Sequence, residues 1–182
     1  MRIISGKHKG RKLFSPQDKA VRPTASKMRE AVFNILISNG SLTDKSIVLD
    51  LCCGTGALGI EALSRGASLA IFIDGSDKHL RLARANIEQC NEQDKSIILR
   101  ANAEDLPKAQ YQCDLVFIDP PYFKGVVNKA LISLINENWL ADKAVIAIEL
   151  AKREDVTVPL EYFSILATRI YGNSKFILLE KL

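Results

Sequence analysis

The sequence is short of the features that mark membrane, secreted and metal-bound proteins. None of its apolar runs reaches the roughly 18 residues that a bilayer-spanning helix needs. Met1-Arg2-Ile3-Ile4-Ser5-Gly6-Lys7 has no continuous apolar stretch of the kind a secretory signal requires. The four cysteines, Cys52, Cys53, Cys90 and Cys113, form no C-x-x-C pair, which argues against a zinc site and against a disulfide framework. His8 and His79 stand far apart in polar surroundings, so no metal is expected. No internal repeat, low-complexity tract or Gly/Ser linker breaks the chain. What remains is 182 residues, 47% hydrophobic and 25% charged, a length and balance that fit one globular domain with one core. The expectation is a cytoplasmic protein with no membrane partner.

Charge is unevenly placed. The net value is +4, yet residues 1–30 carry nine basic side chains against Asp18 and Glu30, which is +7 for that segment and −3 for the rest. A basic arm on a slightly acidic body suits a polyanionic partner, although a solvated lysine-rich surface would show the same counts. Lys7, Lys9, Arg11 and Lys12 crowd one short stretch, where flexible cations can meet phosphates without reading bases. Arg22 is backed by Pro23, so its guanidinium is expected to hold one particular phosphate or base.

Arg2–Ser5 and Arg11–Phe14 flank a glycine-bearing loop and predict a hairpin. Ala25–Ser38 has helical spacing and stops at Asn39-Gly40. From residue 46 onward strands and helices alternate. Strands are expected at Ile47–Leu51, Leu69–Ile73, Ser96–Leu99, Leu115–Ile118 and Ala144–Glu149. Helices are expected at Leu58–Arg65, Lys78–Cys90 and Val126–Asn138, with a short turn near Glu104–Lys108 and Trp139 packing at the last helix's end. Phe163–Tyr171 and Lys175–Leu179 flank Gly172-Asn173-Ser174 and predict an antiparallel hairpin. Such a pattern implies an α/β, Rossmann-like, mostly parallel seven-stranded sheet closed by that hairpin. The single domain comprises a basic hairpin extension, 1–24, on a core of 25–182.

The first strand of that core runs into Asp50-Leu51-Cys52-Cys53-Gly54-Thr55-Gly56-Ala57-Leu58-Gly59. Glycines let the backbone turn sharply and approach a ligand at a helix mouth. Gly54 to Gly59 match G-x-G-x-x-G, a fingerprint that by itself is weak evidence for a dinucleotide. Asp50, four residues ahead of Gly54, would repel a pyrophosphate but favours the sulfonium and ammonium of S-adenosylmethionine. Asp74, ending the second strand about 20 residues after Gly54, is placed to accept ribose hydroxyls; it could equally cap the following helix. Asn102, beside Ala103, either accepts from the adenine amino group or serves only the turn. Asp50, Cys52, Gly54, Gly56, Asp74, Asn102 and Ala103 are therefore the expected cofactor residues. Cys52 and Cys53 read better as small packing residues in a tight turn than as reactive thiols.

The fourth strand ends in Asp119-Pro120-Pro121-Tyr122. Two prolines fix φ and remove two backbone donors, which leaves carbonyls free to face a ligand. Asp119 and the Pro120 carbonyl can hold an NH2 group by its two hydrogens while Tyr122 stacks on the ring that carries it. Orientation then aims the nitrogen lone pair at the methyl donor. Acceptors on both hydrogens favour the pyramidal, positive nitrogen of the transition state. Asp119, Pro120, Pro121 and Tyr122 are the expected catalytic residues; a turn closing a buried strand is the bland alternative.

Taken together the chain resembles the bacterial 16S ribosomal RNA guanine-N2 methyltransferases of the small subunit. The likeness includes Ile4-Ser5-Gly6 with Lys9-Gly10-Arg11, then Arg22-Pro23-Thr24 leading into Arg29-Glu30-Ala31-Val32-Phe33-Asn34. It continues through Asp50–Gly59, Glu61-Ala62-Leu63-Ser64-Arg65-Gly66-Ala67, Asp119–Tyr122 and Tyr171-Gly172. Cys52-Cys53 stands where the family has Phe-Ala, Asp74 where it has glutamate, and Asn102 where it mostly has aspartate. The resemblance implies a class I methyltransferase fold, S-adenosyl-L-methionine as cofactor, and a monomer acting on 16S rRNA or the small ribosomal subunit. It also implies that Asp119 to Tyr122 hold the target guanine and that the basic N-terminus with Arg22 and Thr24 faces RNA. The neighbouring alternatives are an adenine-N6 or protein glutamine-amide methyltransferase. Further off stand an NAD-dependent oxidoreductase, opposed by Asp50 and the Asp-Pro-Pro-Tyr element, and a non-catalytic RNA-binding protein.

Overall fold

The computed structural model describes residues 1–15 and 23–182, with side chains from Ser26 onward in the second stretch. Helix α1 (Pro23–Ser38) leads into an alternating series: β1 (Ile47–Leu51), α2 (Ala57–Ser64), β2 (Leu69–Asp74), α3 (Asp77–Cys90) and β3 (Ser96–Arg100). Then come β4 (Cys113–Ile118), α4 (Val126–Asn136), β5 (Leu140–Ala151), β6 (Phe163–Tyr171) and β7 (Ser174–Lys181). The seven strands lie in the order β3-β2-β1-β4-β5-β7-β6. Strands β1 to β5 pair in parallel, while β7 runs antiparallel to both β5 and β6. No helix among the described residues is long and apolar enough to cross a membrane.

The inner strands are covered on both faces, which is why Val48-Leu49 and Val116-Phe117-Ile118 read as unbroken apolar runs rather than alternating ones. Alternate residues feed two cores. Val48, Phe72 and Phe117 pack with Phe33 and Ile60 beneath α1 and α2. Leu49, Ile71 and Ile118 pack with Leu131 and Trp139 beneath α4. Strand order reverses on the two sides of β1, so the crevice at the carboxyl ends of β1 and β4 is the switch point where ligands of such sheets bind.

Several expectations need adjusting. Helix α4 stops at Asn136 because Asn138 adopts φ 60° and Trp139 N–H returns to the Leu134 carbonyl at 2.9 Å, the six-to-one closure of a helix C-terminus. Trp139 is buried, and its Nε1 donates to the Pro107 carbonyl at 2.8 Å. Strand β5 is twice as long as expected because it is paired along its length by β4 and β7. The N-terminal hairpin holds a single bridge pair, Arg2 with Lys12. Ile3, Gly10 and Leu13 N–H also bond across it, but four donors are diverted to α2: Ile4 and Ser5 N–H bond the Glu61 carboxylate, Lys7 N–H the Ser64 carbonyl, and His8 N–H the Ser64 hydroxyl. The arm is thereby strapped to the carboxyl end of α2. Gly6 permits it, since a Cβ there would sit 1.8 Å from the Ser64 carbonyl oxygen.

Candidate active site

The loop after β1 is built from left-handed residues: Cys52 at φ 62°, Gly54 at 54° and Gly56 at 74°. Its backbone is pinned by Cys53 N–H to the Ile73 carbonyl (3.0 Å) and by Gly56 N–H to the Cys53 carbonyl (2.7 Å). Gly59 is required by packing, because a Cβ there would meet the Phe72 ring at 2.4 Å. Asp50 does not face the open side of this loop. It is 1% exposed and accepts the Gly59 N–H at 2.9 Å. Burial pushes its carboxyl up to about 7, with Asp74 adding to the rise and the Gly59 bond opposing it. Through its bond to Gly59 it fixes the shape of the loop.

Asp74 is not the cap of α3; Ser76 is, its hydroxyl accepting the His79 N–H. The Asp74 carboxylate instead accepts Gly54 N–H at 3.0 Å and Ser76 N–H at 2.9 Å, with His79 Nδ1 at 3.1 Å. It locks the first glycine of the loop to the end of β2. Two carboxylate oxygens offer about four acceptor sites, so room for a ribose hydroxyl remains. Asn102 uses its side-chain oxygen to accept Glu104 N–H at 3.1 Å, and its backbone bridges to Asp105; the turn reading holds in this state. Ala103 beside it is buried against the apolar layer under α4.

Pairing of Leu51 with Ile118 brings the glycine loop and the Asp119-Pro-Pro-Tyr segment side by side, with Asp119 N–H 3.5 Å from the Leu51 carbonyl. Asp119, Pro121 and Tyr122 are exposed and Pro120 is buried. The Tyr122 hydroxyl donates to Glu149 Oε1 at 2.9 Å and lies 2.9 Å from the Ser174 hydroxyl. Burial pushes this phenol up to about 12. Glu149, on β5, is itself raised by burial, against the lowering pull of its bonds to Tyr122 and Ser174 and of the Arg29 charge. No pattern in the sequence announced Glu149 or Ser174, since only the β5–β7 pairing brings them under the tyrosine. Arg29 of α1 is buried, its Nε without a hydrogen-bond partner. Burial lowers its pKa against the opposing field of Glu61, Glu149 and Asp119.

The cysteines behave as packing residues. Cys52 and Cys53 point into opposite cores. Burial pushes the Cys52 thiol up to about 12, helped by the Asp74 and Asp119 charges, and drives Cys53 up as well. Neither is a nucleophile near neutral pH.

Of the expected RNA-facing residues, Lys9 and Lys12 are exposed. Lys7 and Arg11 also serve the protein's own fold. Lys7 Nζ and His8 Nε2 lie 2.7 and 2.5 Å from the buried carboxylate of Glu92, and the Arg11 guanidinium donates to the Gln89 carbonyl. Arg22 and the side chain of Thr24 lie outside the described residues. Glu61 was a legible clue, as the lone charge in the apolar helix Ala57–Ser64.

A sheet of this order, with a glycine loop after β1 and an acceptor-Pro-Pro-aromatic segment after β4 meeting at the switch point, defines a Rossmann-like class I methyltransferase. The solved structure of yhhF from Escherichia coli, described as a candidate methyltransferase, superposes on it with a TM-score of 0.83 at 29% identity, covering 100% of this chain and 97% of that one. The model of the family described as Conserved hypothetical protein 95 matches residues 1–180. The chain belongs to that family, which holds the bacterial small-subunit ribosomal RNA methyltransferases. Ribosomal RNA small subunit methyltransferase D of Buchnera aphidicola is 35% identical over 158 residues, 86% of this chain and 81% of its own length. A Rickettsia prowazekii protein described as an uncharacterized methylase is 30% identical, covering 99% of this chain and 97% of its own.

Proposed function

We propose that this methyltransferase moves the methyl group of S-adenosyl-L-methionine to the exocyclic N2 of a guanine in 16S ribosomal RNA, acting in the cytoplasm. The observation that carries the reading is the register of β1 with β4, which sets the glycine loop against Asp119-Pro120-Pro121-Tyr122. Names of the relatives supply the RNA, and the cation-rich arm suits it.

The chain's groups fit the cofactor. Cys52, Gly54 and Gly56 offer a backbone that a ligand could approach closely, Asp74 has acceptor capacity for a ribose, and Asn102 and Ala103 would lie beside the adenine. Asp50 contributes negative field beneath a cationic ligand. The cofactor supplies an electrophilic methyl on a sulfonium. Asp119 and the Pro120 carbonyl accept the two hydrogens of the target amine, and Pro121 holds the segment rigid. Tyr122, its hydroxyl tethered by Glu149 and Ser174, keeps its ring fixed to stack on the base. Asp119, or water beside it, would take the proton that the amine sheds once methylated. Lys7, Lys9, Arg11, Lys12, Arg22 and Thr24 hold the RNA backbone.

Two measurements test this together. Mass-spectrometric nucleoside analysis of ribosomal RNA from cells with and without the protein should show loss of N2-methylguanosine; loss of N6-methyladenosine instead would reassign the base. Asp119→Ala should abolish turnover while sparing cofactor affinity, and Asp74→Ala should weaken the cofactor by about 1.5–3 kcal/mol. The reverse pattern in calorimetry and single-turnover assays would refute the assignment of roles.

A further inference from the structure

Asn86 sits on the inner face of α3 with no exposed surface. Both of its amide hydrogens are used. Oδ1 accepts the Phe14 N–H at 2.7 Å, while Nδ2 donates to the Phe14 carbonyl at 3.0 Å and to the Thr55 carbonyl at 2.9 Å. An asparagine amide has two donor hydrogens and both are engaged here, so neither carbonyl it holds has a spare donor on this side chain. Phe14 ends the basic arm, just ahead of the segment that leads to Arg22. Thr55 stands between Gly54 and Gly56 in the proposed cofactor loop. One turn earlier on the same face, the Ala83 methyl lies 3.3 Å from where a Cβ on Gly56 would be. Helix α3 thus underlies the loop at two points and grips the arm at one of them.

We infer that Asn86 is a positioning residue that couples the cofactor loop to the RNA-facing arm, so that S-adenosylmethionine and RNA bind with positive cooperativity. The inference rests on the proposed function above. The link is one planar amide in a dry site. When the Thr55 carbonyl moves or stiffens, Asn86 follows, or a buried donor is left unpaired at full desolvation cost. The Phe14 peptide, bonded twice to the same amide, must follow in turn. A ligand that orders the loop therefore prepays part of the ordering of the arm, and the second ligand pays less. Coupling of this kind is reciprocal: RNA must tighten the cofactor by the factor with which the cofactor tightens RNA.

The test uses S-adenosylhomocysteine and a 16S ribosomal RNA transcript as probes. Titration of each, with and without the other, should show a mutual gain of about fivefold or more in the wild-type protein. Asn86→Asp keeps the acceptor for Phe14 N–H but turns an oxygen toward both carbonyls. In that variant the mutual gain should fall to about one, while each ligand still binds alone. In the wild-type protein S-adenosylhomocysteine should also slow hydrogen exchange at the Phe14 amide, a readout independent of whether the variant folds. Unchanged Phe14 exchange, or a folded Asn86→Asp protein with the full mutual gain, would overturn the coupling. Failure of either probe to bind the wild-type protein would instead count against the proposed pairing of this cofactor with free 16S ribosomal RNA, and this inference would fall with it.

Discussion

Replacing Gly59 by alanine adds one methyl group at the tightest point beneath the glycine loop. The new Cβ would lie 2.4 Å from Phe72 Cε1, 2.8 Å from Cζ and 3.1 Å from Cδ1. Phe72 is fully buried between β1 and β3 and cannot swing aside, so the first turn of α2 must lift. Overpacking of this size costs about 1–3 kcal/mol. Lifting α2 also stretches the 2.9 Å bond from Gly59 N–H to buried Asp50, which costs up to about 1–3 kcal/mol if the donor is left unpaired. The gain in helix propensity from Gly to Ala returns only about 1 kcal/mol. A net destabilisation of about 2–4 kcal/mol follows, read by urea denaturation, with cofactor affinity falling at least about tenfold for each 1.4 kcal/mol that reaches the loop. The clash is specific, so Phe72→Leu in the same chain should recover part of the loss although it opens a cavity by itself. A double-mutant cycle would show that coupling directly. Additive losses in the double variant, or a Gly59→Ala protein of wild-type stability and cofactor affinity, would refute the packing argument.

Asp50→Asn should retain the Gly59 bond while removing the buried charge. The folded-state carboxyl titrates at about 7 against an ordinary 3.8, so the folded protein binds this proton more tightly than the unfolded chain does. Stability contributed by the group therefore falls as pH rises from about 4 to about 7, and the variant should gain on the wild type over that window in thermal melts at stepped pH; a pH-independent difference would contradict the burial argument. Tyr122→Phe should cost about 0.5–1.5 kcal/mol, lower turnover and spare cofactor affinity, because it frees the ring from Glu149 and Ser174; unaltered single-turnover rates would remove the tether from the mechanism. Lys9 and Lys12 changed together to Gln should flatten the salt dependence of RNA affinity by about 0.7–0.9 log units per lost phosphate contact and leave stability alone. Lys7→Gln should in addition destabilise the fold, since Glu92 loses a partner in a buried setting; equal melting of both variants would mean that the Lys7–Glu92 pair holds nothing.

Much of the architecture was legible in the chain because it depends on short-range chemistry. The apolar runs of β1, β2 and β4, the glycines after Asp50 and the twin prolines after Asp119 impose local conformation wherever they stand, and from α1 onward the predicted elements match the structure within a few residues at each end, β5 departing most. Local signals also overreached. Asp74 reads as a possible cap of the next helix, yet in the fold its carboxylate is taken by Gly54 N–H and Ser76 N–H, and Ser76 caps α3. Asp50 reads as an acid beside a cation, yet its place on the Gly59 side of β1 buries it under α2. Lysines look alike along the arm, but Lys7 finds Glu92 across the fold and Lys9 does not. Residue types and spacing therefore determined the fold, the glycine loop after β1 and the Asp-Pro-Pro-Tyr segment after β4. Tertiary structure alone decided which polar groups meet: Tyr122 with Glu149 and Ser174, Glu61 with the arm, Asn86 with Phe14 and Thr55. Such pairings join residues distant in the chain, and each is set by strand register and helix packing, for which no local pattern exists to be read.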